Sequence, residues 1–257
     1  MSEDNGGAIS FTQGDYHTVK DCTFTGCSSS SAFDISTGGG GVFSNTGSSF
    51  SVISSTFISC STTSLGGGLL CTTGCASSFV SECFFLRCSS ETCGGGMSTH
   101  CGPISAVSSS YFVSCTAHWT GGGLYHNSVY TSSHIMISNL LFNKNTAESG
   151  DPSTRGGGGF GDFRDATYSS MYSFCFYTGN IAPPEDPQDI SVRTNPIDVT
   201  KIQHCFTTTA SNTFLNHGSY VDTWLPMNNA ILKVFDLPST AIQLFTHTKT
   251  HLHCSFR

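Results

Sequence analysis

The chain has 257 residues, 37% hydrophobic and only 11% charged, with a net charge of −7 and a pI near 5.7. Charged residues usually make up about a quarter of a globular domain, so solubility here rests on Ser, Thr and Asn, which suit β surfaces better than helices. The acidic balance and the lack of a basic stripe exclude nucleic acid as a partner, and no run of 18 apolar residues offers a membrane-spanning helix.

From the first residues onward the chain is periodic. Met1-Ser2-Glu3-Asp4-Asn5-Gly6 lacks the basic and apolar regions of a signal peptide. Glycine clusters end at Gly7, Gly41, Gly68, Gly96, Gly123 and Gly159. An aromatic residue follows each after 16 to 19 positions: Phe24, Phe57, Phe85, Phe112, Phe142 and Tyr177. Three residues later stands Cys27, Cys60, Cys88, Cys115, Asn145 or Asn180. The middle clusters are 27, 28 and 27 residues apart, a period that marks stacked copies of one structural unit.

Aligned on the last glycine, the units give an apolar column: Ala8, Val42, Leu69, Met97, Leu124 and Phe160. Two positions on stand Ser10, Ser44, Cys71, Thr99, His126 and Asp162, which share a face with that column because strand side chains alternate. Five residues before the aromatic lie Val19, Val52, Val80, Val107, Ile137 and Tyr172. Three before it lie Asp21, Ser54, Glu82, Ser109, Asn139 and Phe174, polar in five of six units. Helical periodicity with good helix formers is missing before about residue 225. The expectation is all-β: a right-handed, single-stranded parallel β-helix of about 6–7 coils, with glycine at the corners where positive φ or close backbone approach is needed. Longer intervals place surface loops at 28–37 and 146–155. Pro183-Pro184 and Pro187 break the rhythm, and Ile190–Val192 and Ile202–Thr208 read as a degenerate last coil. The domain reading is therefore 5–209 for the repeats and 210–257 for a C-terminal cap or disordered tail.

Two pieces of this pattern, Gly6-Gly7-Ala8-Ile9 and Phe142-Asn143-Lys144-Asn145, resemble the paired G-G-A-I and F-x-x-N motifs of polymorphic outer membrane protein repeats. Those repeats occur in bacterial autotransporter adhesins and in large surface proteins of some protists. The resemblance covers residues 5–180. It implies a right-handed β-helix displayed outside the cell, an extracellular or cell-surface location, and a glycan or a host or cell-surface protein as partner. The chain departs from the family by putting Cys at four of the Asn positions and by replacing most G-G-A-I motifs with Gly-Gly-Gly followed by Leu, Met or Phe. These departures resemble protist versions of the repeat. No translocator β-barrel follows the repeats, so autotransport is not implied.

Few residues carry obvious chemistry. His126 and Asp162 share one column with Thr99, and Asp165 lies close in sequence, so a general-base pair or a carbohydrate-cleaving site would use His126, Asp162 and Asp165. The alternative is that these side chains cap turn backbone or face solvent. The glycine runs have no Gly-Lys-Ser/Thr and are followed by strands, which excludes phosphate-binding loops, and no cofactor is expected. Cys71, Cys75, Cys83, Cys88 and Cys93 lack zinc-ribbon spacing, and His247, His251, His253 and Cys254 lie in the tail, so no metal site is assigned. Cys27, Cys60, Cys88 and Cys115 form a column of buried thiols, because parallel Cβ vectors disfavour bridging between coils. Secretion would allow local bridges such as Cys71/Cys75 or Cys93/Cys101. The first functional reading is a non-enzymatic adhesion or binding module for glycan or protein. The second is a polysaccharide lyase or glycoside hydrolase of the pectin-lyase-like β-helix class, and a structural spacer is the third.

Overall fold

The fold was taken from a computed structural model. It describes residues 5–12, 14–30, 37–45, 49–72, 77–100, 104–127, 134–149, 157–163, 169–183, 190–193, 199–203, 205–207, 214–216 and 224–226. Every regular element among them is a strand, and the strands pair in parallel into sheets of eight, seven, eight and five strands. The chain visits the sheets in turn. One coil runs through Leu69–Cys71, Ser77–Ser81, Phe84–Leu86 and Ser89–Ser90, and each strand pairs with its equivalents one coil before and after. These four strands lie in what are called below the first, second, third and fourth sheets. The molecule is a parallel β-solenoid. Two of its sheets carry eight strands, slightly more than the six or seven coils expected. Phe214–Asn216 pairs with Ile190–Val192 in the first sheet, and the compact unit extends to Leu225. Residues 227–257 lie outside the described residues.

The register follows the columns read from the sequence. Val52 pairs with Val19 and Val80, and Phe85 pairs with Phe57 and Phe112. One column is shifted. Ile9, not Ala8, pairs with Val42, so the first coil slips by one residue against the predicted alignment. The cause is at the corner. Gly6 and Gly7 take the first two corner positions, where a Cβ would run into the backbone of Ile9 or Gly40. Ala8 takes the third, where the equivalent Gly41 has a carbonyl 2.7 Å and a ring carbon 2.9 Å from an added Cβ. The last position is the most forgiving of the three, so a two-glycine motif fills the corner from its front.

Two further corners take left-handed backbone, mostly at residues other than glycine. Asp21, Ser54, Glu82, Ser109, Asn139 and Phe174 turn the second sheet into the third, all at φ between 48° and 54°. Ser59, Arg87, Ser114 and Lys144 turn the third sheet into the fourth at φ 51–54°, with Gly26 and Gly179 in the same role. Short polar residues tolerate this region best, which explains the polar column seen in the sequence.

The main core lies inside the coil. Phe24, Phe57, Phe85, Phe112, Phe142 and Tyr177 stack with neighbouring centroids 4.7–5.1 Å apart and planes within 15°. Strand pairing at about 4.8 Å sets this separation, and each stacked pair adds about 0.5–1.5 kcal/mol beyond area burial. A second apolar cluster, Phe43, Leu65, Leu70, Cys93 and Tyr125 with Trp119, covers the outer face of the first sheet. From the second coil on, that sheet is therefore buried on both sides: Val42–Ser44, Leu69–Cys71 and Met97–Thr99 are buried at every position.

Candidate functional site

The interior column holds two of the sequence candidates. Thr99 pairs with His126, and His126 pairs with Asp162. They share a face with Leu69 and Cys71, members of the main core, and only 1% of His126 and 3% of Asp162 is exposed. The structure thus brings His126 and Asp162 together inside the coil rather than in a surface groove. A general base must reach the proton it removes, and burial of this kind withholds the pair from an external substrate. Asp165 lies outside the described residues. Next to Thr99, His100 is buried edge-on to Tyr125 at 5.8 Å. Burial, aided by the nearby His126, holds its pKa down at about 3. His100 is accordingly neutral at physiological pH.

The cysteine column is structural. Cys60, Cys88 and Cys115 each point Sγ at the carbonyl of the aromatic residue one coil earlier, at 3.5–3.6 Å from Phe24, Phe57 and Phe85. Asn145 and Asn180 repeat the contact with Nδ2, 2.9 Å from Phe112 O and 3.1 Å from Phe142 O. Cys in the first four coils and Asn in the next two can share this column because both offer a donor of the right reach. Asn adds an acceptor: the Cys115 and Asn145 amides donate to the Oδ1 of the asparagine one coil later at 3.0 Å. Cys22, Cys27, Cys60, Cys83, Cys88 and Cys115 carry free thiols. Burial pushes Cys88 well up and Cys83 to about 12, while the Cys88 contact and burial together raise Cys60. Thiolate is the reactive species, so Cys60, Cys83 and Cys88 are chemically quiet. Cys75, Cys101 and the His247–Cys254 cluster lie outside the described residues, and no group of three metal-ligating side chains occurs among the described residues.

Solvent-facing chemistry gathers on the fourth sheet. Its strands Ser28–Ser29, Ser61–Thr62, Ser89–Ser90, Thr116–Ala117 and Thr146–Ala147 follow directly on the Cys/Asn column. Ser29, Thr62, Ser90, Ala117 and Ala147 turn inward and are buried. Ser28, Ser61, Ser89, Thr116 and Thr146 form an outward ladder of half-buried hydroxyl side chains in register. Four of these residues line a groove of about 500 Å³, with Glu91, His118 and Glu148 along one edge. The signal was present in the sequence as a hydroxyl residue after five successive Cys or Asn positions, but that column was not read.

Three side chains meet at this edge. His118 Nδ1 lies 3.4 Å from Glu148 Oε2, and His118 Nε2 lies 3.2 Å from Ser149 Oγ. Ser149 Oγ also donates to the His118 carbonyl at 3.0 Å. The ladder fixes their backbones: the amides of His118, Glu148 and Ser149 donate to Ser90, Ala117 and His118 carbonyls at 3.1, 3.0 and 2.7 Å. His118 and Glu148 are exposed and Ser149 is half-buried.

Comparison of the chain with protein-family models, curated proteins and solved structures finds no match.

Proposed function

We propose that this chain is an extracellular or cell-surface solenoid module that binds a glycan strand in the fourth-sheet groove. The observation that carries this reading is the hydroxyl ladder Ser28, Ser61, Ser89, Thr116 and Thr146. It repeats at the strand spacing of about 4.8 Å. A linear, hydroxyl-rich polymer along the solenoid axis meets the same donors and acceptors at each coil, so its contacts add with length. Glu91 and Glu148 accept hydrogen bonds from sugar hydroxyls and disfavour anionic chains, which selects neutral glycans. The resemblance to polymorphic outer membrane protein repeats supports both the location and an adhesive role.

A glycan array probed with the purified chain tests the reading, with a Ser89→Arg variant that fills the groove. Retention of neutral glycans, lost in Ser89→Arg while the circular dichroism is unchanged, is expected. An array with no retained glycan, or binding that survives Ser89→Arg, rules the groove out. A carbohydrate-active enzyme is the second reading. It is favoured by the His118 cluster rather than by His126, Asp162 and Asp165.

A further inference from the structure

The geometry points to a serine acyl-hydrolase site at the edge of the groove, with Ser149 as nucleophile, His118 as general base and Glu148 as the group that orients the imidazole. The separation of roles comes from the two ring nitrogens. Ser149 Oγ sits 3.2 Å from Nε2, and a Glu148 oxygen sits 3.4 Å from Nδ1. An ionised carboxylate only accepts hydrogen bonds. The neutral ring therefore keeps its proton on Nδ1, facing Glu148, and leaves Nε2 bare toward the serine. Nucleophile bonded to base, and base bonded to a third orienting group, is the arrangement by which a serine hydroxyl is activated, and it is recognised by geometry rather than by sequence order. Here the order is His, Glu, Ser.

Two features set this cluster apart from chance surface contacts. Each member has its backbone amide bonded to a carbonyl one coil earlier, directly after the strands Thr116–Ala117 and Thr146–Ala147, so the three backbones are tied together where they leave the fourth sheet. The cluster also opens onto a substrate-sized space, since His118 and Glu148 line the 500 Å³ groove. At rest the single hydroxyl proton of Ser149 is shared between the His118 carbonyl at 3.0 Å and Nε2 at 3.2 Å. Rotation about the Ser149 Cβ–Oγ bond turns it fully to Nε2.

The reaction is ester hydrolysis and consumes only water. Ser149 Oγ forms a bond to the ester carbonyl carbon as its proton moves to Nε2. The tetrahedral intermediate collapses, the bond to the alcohol oxygen breaks, and that oxygen takes the proton from Nε2. Water then attacks the acyl-serine, giving its proton to Nε2, and the carboxylic acid leaves as Ser149 recovers the proton. The substrate class, an O-acylated glycan, rests on the groove reading above. The nucleophile does not depend on it.

A fluorophosphonate probe reads the nucleophile alone and needs no knowledge of the ligand. The folded protein is treated with the probe and the modified peptide is identified by mass spectrometry. Label on Ser149 is expected, with turnover of p-nitrophenyl acetate that Ser149→Ala abolishes and His118→Ala lowers by about 100-fold or more. Ser51→Ala, on the second sheet, retains both. No label, or label spread over many serines and unchanged in His118→Ala, overturns the proposal. Glycan retention on the array is independent of these outcomes, so a failed groove and a failed nucleophile are distinguishable.

Discussion

The inner face of the third sheet and the outer face of the fourth are built by the same rule and end in opposite chemistry. On the third sheet, in-register pairing stacks Phe57, Phe85 and Phe112 into a closed aromatic pile, with rings 4.7–4.8 Å apart and fully buried. On the fourth, the same pairing lines up Ser61, Ser89 and Thr116 at the wall of an open groove. The comparison shows that repetition supplies order and spacing, while the facing of each column decides whether that order makes a core or a surface.

The sharpest way to break the comparison is to remove one rung from each pile. Phe85→Ala is expected to cost about 3–5 kcal/mol, because the cavity is held open by ring neighbours on both sides. Ser89→Ala, on the exposed ladder, is expected to change stability by less than about 0.5 kcal/mol. Urea unfolding of the two variants measures both, and equal losses would dissolve the distinction.

The Cys/Asn column sharpens the interior half. Asn145→Ala takes away the Oδ1 acceptor of the buried Cys115 amide and the Nδ2 bond to the Phe112 carbonyl, for a loss of about 1–3 kcal/mol. Asn145→Cys is expected to lose less, since Sγ reaches the equivalent carbonyl in three other coils. A Cys variant no better than Ala would show that the thiol contacts contribute nothing.

Acid tests the same interior. His100 has its folded pKa depressed to about 3 from 6.5. Below pH 6.5 the unfolded chain binds a proton that the folded chain refuses, so the contribution of His100 to stability is complete above that pH and falls progressively toward pH 3. His100→Gln is expected to flatten the fall in urea midpoint between pH 7 and pH 4. An unchanged slope would assign the acid sensitivity elsewhere.

The smallest effect is a pattern of labelling. Iodoacetamide on the native protein is expected to reach the half-buried Cys22 and Cys27 and to spare Cys60, Cys83, Cys88 and Cys115 until denaturant is added. Mass spectrometry of the alkylated peptides reads the outcome. Native-state labelling of Cys88 would mean that the coil opens locally.

Much of the architecture was legible because solenoid pairing converts a linear period directly into contact. Val52 meets Val80, and Phe57 meets Phe85, simply because they occupy equal positions in successive units. The polar column from Asp21 to Asn139 was equally visible, and the left-handed corners give it a reason. The candidate site was less legible. The His126–Asp162 pairing was foreseen, but its spacing left open whether the pair caps turn backbone or faces solvent, and only the closed coil puts it on the buried inner face with Leu124 and Phe160.

By itself, the sequence determined the repeat, the columns that stack and the residues that turn the corners, because these depend on spacing along the chain and on the backbone preferences of single residues. Only the tertiary structure decided that the first sheet is sealed on both faces over Val42–Ser44, Leu69–Cys71 and Met97–Thr99, that Ile9 rather than Ala8 begins the ladder, and that Ser149 and Glu148 meet His118 from 31 and 30 positions away. Those outcomes depend on which atoms press together once coils are stacked, a property of the packed solid that no single unit of the repeat contains.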